Sequence, residues 1–276
     1  MKRLLNIEWL KTIHYRTTKL FLLAYVAIVV LGTITLTQDI PFLGLNINLD
    51  DLGVFQTPQI WHFMTFAFAI LKIFLAIIVV TNISNEFSYG TLKQNLIDGL
   101  SKKEFVLSKT LTIVLMSAAA TLLVFFISLL LGLQKSTEFV FMSTDLWYVL
   151  SFFVKHLAFL SFAMLLCIWV RKSALSLALL FIWWIIESII RTMEFFTYKS
   201  LDMKSISKDY YLSDFLPLRA MEQTIPNPAT RVNQVQEMTQ GMLPPVVLEP
   251  IFLVVSFAYF ILFVGLSYWL VKRRDL

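Results

Sequence analysis

Six stretches of this chain are apolar for long enough to cross a lipid bilayer, and that repeated length limits the fold more than any motif does. They lie near 20 to 38, 59 to 83, 106 to 133, 147 to 170, 173 to 195 and 250 to 271, and a hydrocarbon core needs roughly 20 helical residues to span. Lipid offers backbone N–H and C=O groups no partners, so each such run closes its hydrogen bonds on itself as a helix. Composition agrees: 58% of residues are hydrophobic and 15% charged, beyond the balance of a soluble domain. The expected fold is an all-α polytopic membrane protein with six transmembrane helices, one membrane domain over residues 1–276. The first apolar run is too long for a signal-peptide core and no A-x-A-like site follows it, so it reads as a spanning helix.

Orientation follows from the Lys and Arg near the helix ends. With the amino terminus inside, fourteen basic residues, among them Lys2, Arg3, Lys93, Lys102, Lys103, Lys109, Arg171, Lys172 and Arg273, face five acids on the cytoplasmic side. The outer segments carry six basic residues against eleven acids. Both termini are therefore expected in the cytoplasm, with the protein integral to a bacterial inner membrane. The net charge of +5 belongs to this topology and to anionic membrane lipid, and no nucleic-acid partner is expected.

Between the second and third spans the sequence turns polar, NEFSYGTLKQNLIDGLSKKEFVLSK from Asn85 to Lys109. Gly90 can end a helix in the left-handed conformation, and Thr91 with Gln94 fits a capping box that starts the next. Gly99 repeats the stop, and Ser101 with Glu104 forms a second box ahead of Phe105. The spacing thus predicts one short helix between two breaks. Leu92, Leu96 and Leu100 recur every four residues while Lys93, Asn95 and Asp98 face elsewhere, so it is expected to lie flat at the membrane surface.

Glu86 ahead of Gly90–Thr91, the leucine-rich turn, Ser101–Lys102–Lys103, Phe105 and Lys109 resemble the first cytoplasmic loop of the permease subunits of ABC type 2 exporters. That resemblance implies a coupling helix within a loop over 84–105, seated on a separate ATPase subunit. It makes Glu86, Gly90, Thr91, Leu92, Gln94, Leu96, Asp98, Ser101, Lys102, Lys103 and Glu104 the ATPase-coupling residues. Glu86 would brace the end of the second span by hydrogen bonding into the loop, and Lys102 or Lys103 would meet acidic groups of the motor or lipid phosphates. It further implies a dimer with a second copy or a homologous permease, with ATP and Mg held by the partner ATPase and no cofactor in this chain.

Residues 1–19 form an amphipathic pattern of Leu4, Leu5, Ile7, Trp9, Leu10 and Ile13 against Lys2, Arg3, Lys11 and Arg16, expected to lie in the membrane interface. It is either a plain anchor or, by the resemblance, a connecting helix that also touches the ATPase. Residues 196–249, broken by Pro217, Pro226, Pro228, Pro244 and Pro245, are expected to form either a small extracytoplasmic cap of short helices or a solvated linker. Cys167 is the single cysteine, so no internal disulfide can form.

Lys72 falls near the middle of the second span, where a lysine costs roughly 2.5 to 3.5 kcal/mol on insertion scales and must face protein or water. Lys155 and His156 lie about 12 Å below the outer end of the fourth span, at 1.5 Å per residue, and Glu187 lies at a similar depth in the fifth. Glu187 and Arg191, four apart, share a helical face. An intramembrane polar cluster is therefore expected on Glu187, with Arg191 and one of Lys155 or Lys72. It would either hold helices together or contact a substrate or proton.

Other chemistry is not encoded. There is no G-x-x-x-x-G-K-[ST] phosphate loop, no H-E-x-x-H, no zinc-spaced Cys–His set and no G-x-S-x-G elbow, so the chain is read as a transport subunit and not an enzyme. The alternative is an ion-coupled transporter or channel relaying through Lys72, Lys155, Glu187 and Arg191. Against it, neither an internal repeat nor a span broken in mid-membrane is visible. A third reading is a scaffold whose loop docks some other protein.

Overall fold

The computed structural model describes Glu8 and residues 15–38, 40–42, 45–47, 49–50, 53–136, 140–141, 145–200, 210–228 and 248–274. The helices run α1 Arg16–Leu36, α2 Gln59–Ala69, α3 Lys72–Ser88, α4 Thr91–Ile97, α5 Lys102–Lys135, α6 Asp145–Val170, α7 Ser173–Ser200, α8 Pro217–Gln223 and α9 Pro250–Arg273. A 3-10 turn at Leu212–Phe215 precedes α8. The loop after α1 holds a short antiparallel ribbon, β1 Ile40–Phe42 with β2 Leu45–Ile47, Ile40 opposite Ile47. Most of the amphipathic stretch 1–19, the parts 201–209 and 229–247 of the expected cap, and the last two residues lie outside the described residues.

Five helices, α1, α5, α6, α7 and α9, are each long and apolar enough to cross a membrane. These are the helices of an integral membrane protein. The second expected span is not one rod, because α2 and α3 pass the same test only together and are bent by 42° at Ile70–Leu71. The expectation that no span is broken is thereby overturned. Around the bend Leu71 N–H bonds Phe68 O at 3.1 Å and Phe74 N–H bonds Leu71 O at 3.0 Å, a tightened three-residue pattern that turns the axis. Neither glycine nor proline marks it.

The bundle is arranged around α6, which is buried along most of its length. It packs against α9, α3, α5, α2 and α7, while α1 leans on α3. α1 and α7 sit at the edge with long apolar faces exposed, including Leu23 and Leu31 on the first and Phe181, Ile189 and Met193 on the second. On α5 the small residues Ser117, Ala120 and Thr121 are buried with Val124 and Ser128, one helical face whose short side chains let neighbours approach.

The turn from α6 to α7 is made by Arg171, whose φ of 63° puts it in the left-handed region. Its N–H bonds Cys167 O at 2.7 Å. Arg274, at the end of α9, donates to Ile168 O at 2.6 Å and Trp169 O at 3.0 Å. The final carbonyls of α6, which no later turn of helix can satisfy, are thus capped from the other end of the chain. Burial, and then the neighbouring Arg171 guanidinium, lowers the pKa of Arg274 from its ordinary value.

Candidate functional site

The loop between α3 and α5 is built from local signals that the structure realises in part. Gly90 has φ 67° and stands directly before α4, with nothing within 4 Å of where a Cβ would be. Its role is therefore conformational and not steric. The expected Thr91–Gln94 capping box does not form. Gly90 takes the cap position, which makes Thr91 the first helical residue, and its hydroxyl turns back to Glu86 O at 3.5 Å. At the other end Leu100 N–H reaches Asn95 O at 2.9 Å and Gly99 N–H reaches Leu96 O at 3.2 Å, with Gly99 at φ 95°. These are the paired bonds of a Schellman turn. The Ser101–Glu104 box does form: Ser101 N–H meets Glu104 Oε2 at 2.8 Å and Glu104 N–H meets Ser101 Oγ at 3.1 Å.

The leucine face of α4 turns toward the protein. Leu92 is 2% exposed, and Leu96 and Leu100 are half-buried against the same core. These leucines meet protein, with α4 lying against the end of α3. What remains outward is Lys93, Gln94, Asp98 and Lys103, with two apolar residues that spacing did not single out, Tyr89 at 72% and Ile97 at 76% exposed. Each lies off the four-residue leucine repeat, and that offset was the available signal.

Beneath the loop a buried ion cluster joins three distant stretches. Lys109 Nζ on α5 lies 2.7 Å from Glu8 Oε2 and 2.5 Å from Glu86 Oε1. Ser108 Oγ donates to Glu8 Oε1 at 3.4 Å. Glu86 thus braces the end of α3 through Lys109. One ammonium between two carboxylates compensates charge that burial would make very costly alone. Of the two lysines expected to meet the motor or lipid, Lys102 is engaged internally, its Nζ donating to Lys272 O at 3.3 Å and Arg274 O at 2.8 Å, while Lys103 is exposed. Loop, α3, α5, the α6–α7 turn and the end of α9 are therefore tied together.

The expected intramembrane cluster is rearranged. Arg191 pairs with Asp214 at 2.8 Å and covers the Tyr211 ring at 4.1 Å, and the expected Glu187–Arg191 pair is absent. Glu187 instead accepts Leu218 N–H at 3.1 Å, Arg219 N–H at 2.8 Å and Trp183 Nε1–H at 2.6 Å. An acid from α7 thus satisfies the open N–H groups at the start of α8, where the helix dipole also favours it. Two turns further along α7, Glu194 does the same for the 3-10 turn through Leu212 and Ser213, both at 2.9 Å. These acids hold α8 in the bundle, with Leu218, Ala220 and Met221 buried.

Lys155 and Lys72 do not join Glu187. Lys155 Nζ is 3.5 Å from Glu222 O of α8, and Lys72 Nζ stands 4.5 Å from the centroid of the Phe159 ring. Among the described residues no group of three or more His, Cys, Asp or Glu side chains could hold a metal ion.

Residues 20–276 match the family model described as "Protein of unknown function (DUF2705)". The curated proteins give no match to the chain.

Proposed function

The chain belongs to the DUF2705 family, and we propose from the geometry above that it is the permease subunit of an ATP-driven exporter of the ABC type 2 class. In this reading the five long helices and the bent α2–α3 pair are six spans, and both ends lie in the cytoplasm of a bacterial cell. Two such subunits, identical or homologous, enclose the pathway. Residues 210–228 form part of an outer cap that shapes the exit.

The observation that carries the reading is α4 itself: a short helix fenced by Gly90 and Gly99 in the left-handed region, packed by Leu92 and presenting Tyr89, Lys93, Gln94, Ile97 and Asp98 outward. Its Tyr89 and Ile97 are the anchors a partner would cover, and its base is clamped by Lys109 between Glu86 and Glu8. ATP, with its Mg, would be bound and hydrolysed on a separate ATPase subunit. Closure of that motor pushes α4, and the ion cluster makes α3 and α5 move as one. Copurification tests this: a Walker-type ATPase should be recovered with the chain and lost from the Ile97→Asp variant, which still inserts. Recovery of no ATPase, or equal recovery with the variant, counts against it.

A second reading has one specific support. The 42° break at Ile70–Leu71 immediately precedes Lys72, and broken spans carrying ionisable residues are features of ion-coupled transporters. Activity of the chain reconstituted alone under an ion gradient would favour that reading over the first.

A further inference from the structure

Lys72, the first helical residue after the bend, lies within electrostatic reach of Lys155. Lys155 and Phe159 are four residues apart on α6, hence on one helical face, and the Lys72 ammonium sits over that Phe159 ring. Lys155 is 4% exposed and stands ten residues into α6, about 15 Å from its start at 1.5 Å per residue. His156, beside it, is fully buried. It uses Nδ1 on Phe152 O at 2.8 Å, and its Nε2 has no partner among the described residues.

The cluster holds more donors than acceptors. Two ammonium groups bring six N–H bonds; among the described residues the one protein acceptor they meet is Glu222 O, at the outer limit of bonding. The carboxylate within electrostatic reach of both lysines is that of Glu222. It is bound at 2.9 Å by Arg219 and is 36% exposed, so its charge is divided before it reaches them. Glu187, the other acid at this depth, already accepts from Leu218, Arg219 and Trp183. Buried cations of this kind need a paired anion.

We propose that Lys72 and Lys155 bind the anionic head of an amphiphile, a carboxylate or phosphate group on an apolar body, entering at the bend between α2 and α3. The head lies between the two ammonium groups under the Glu222 end of α8. The apolar body passes out at the bend along Ile70 and Ile73, which are 65% and 47% exposed. An apolar body is required because the ammonium groups are surrounded by spans, and a bare anion would leave its hydration with nothing apolar to offset the loss. This goes beyond the exporter reading and needs no motor, so either can fail without the other.

The experiment uses the purified full chain in phosphatidylcholine nanodiscs, titrated with a sixteen-carbon fatty acid, with its methyl ester, and with phosphatidylglycerol, bound probe being counted by native mass spectrometry. Wild type should bind the acid or the phosphatidylglycerol, but not the ester. Lys72→Met/Lys155→Met should bind about tenfold or more weakly, and Lys72→Arg/Lys155→Arg should retain binding. Methionine removes the cations without adding polar groups, so insertion is eased and folding is not the variable. Preference for the fatty acid identifies a free amphiphile as ligand, and preference for phosphatidylglycerol identifies bilayer lipid. Equal binding by wild type and the methionine variant, or uptake of the ester as readily as the acid, overturns the proposal.

Discussion

Lys109 and Glu8 lie 101 positions apart in the chain, yet the ammonium of one stands 2.7 Å from the carboxylate of the other, buried under the loop that carries α4. The third member, Glu86, comes from the end of α3. The element nearest the proposed motor is thus anchored by charge in the protein interior.

Replacing Lys109 by Met removes the ammonium that Glu8 and Glu86 share, which costs roughly 3 to 5 kcal/mol for a buried pair broken on one side. The thermal midpoint of the purified chain should fall sharply. Adding Glu8→Gln and Glu86→Gln to the same variant should recover most of the loss. If the single variant melts like wild type, the cluster does not stabilise the fold.

Gly90 needs its positive φ and meets no neighbour within 4 Å, so uncharged substitutions should rank by backbone preference. Asn, which tolerates the left-handed region, should preserve transport. Val should impair it, and Gly90→Asp, which adds a charge at the docking surface as well, should abolish it, all three inserting normally. The left-handed conformation costs an ordinary residue about 1 to 2 kcal/mol. A Val variant as active as the Asn variant would show that the break is not required.

Leu92 and Ile97 separate folding from docking. Leu92→Asp places a charge in the core and should destabilise the chain, whereas Ile97→Asp alters a residue 76% exposed and should leave the melting temperature within a degree or two. Leu96→Asp, at a half-buried position, should show both defects, with transport lost while insertion persists. Identical melting losses for the Leu92 and Ile97 variants would contradict the packing described for α4.

Glu187→Ala removes an acceptor shared by Leu218 and Arg219 N–H, and hydrogen bonds to a charged group contribute roughly 1.5 to 3 kcal/mol each. Limited proteolysis should then cut near α8 faster than in wild type, with Glu187→Gln intermediate. Arg191→Met should free Asp214 and have a smaller effect, since Arg191 is partly exposed. Unchanged cleavage in the Ala variant would mean that α8 is held by its apolar side chains alone.

Local chemistry made much of the chain readable in order. The apolar runs became α1, α5, α6, α7 and α9 close to their expected limits, Gly90 and Gly99 broke the chain where left-handed residues were anticipated, and Ser101 with Glu104 closed its box. Each of these depends on residues within a turn or two, where backbone preference and short-range hydrogen bonds decide. The Thr91 box failed within the same range, because the left-handed turn at Gly90 starts the helix one residue early and puts Thr91 inside it.

Tertiary structure alone chose the partners of the buried charges and the place of the bend. Arg191 had Glu187 one turn away, yet took Asp214, because the free N–H groups of α8 claimed the nearer carboxylate. Lys109 drew Glu8 from the far end of the chain, and the second span bent at Ile70–Leu71 with no residue there that breaks helices. The apolar lengths sufficed to determine a membrane bundle, since burying a helix in lipid depends on its own composition. The pairing of charges depends on distances that exist only once the helices have packed.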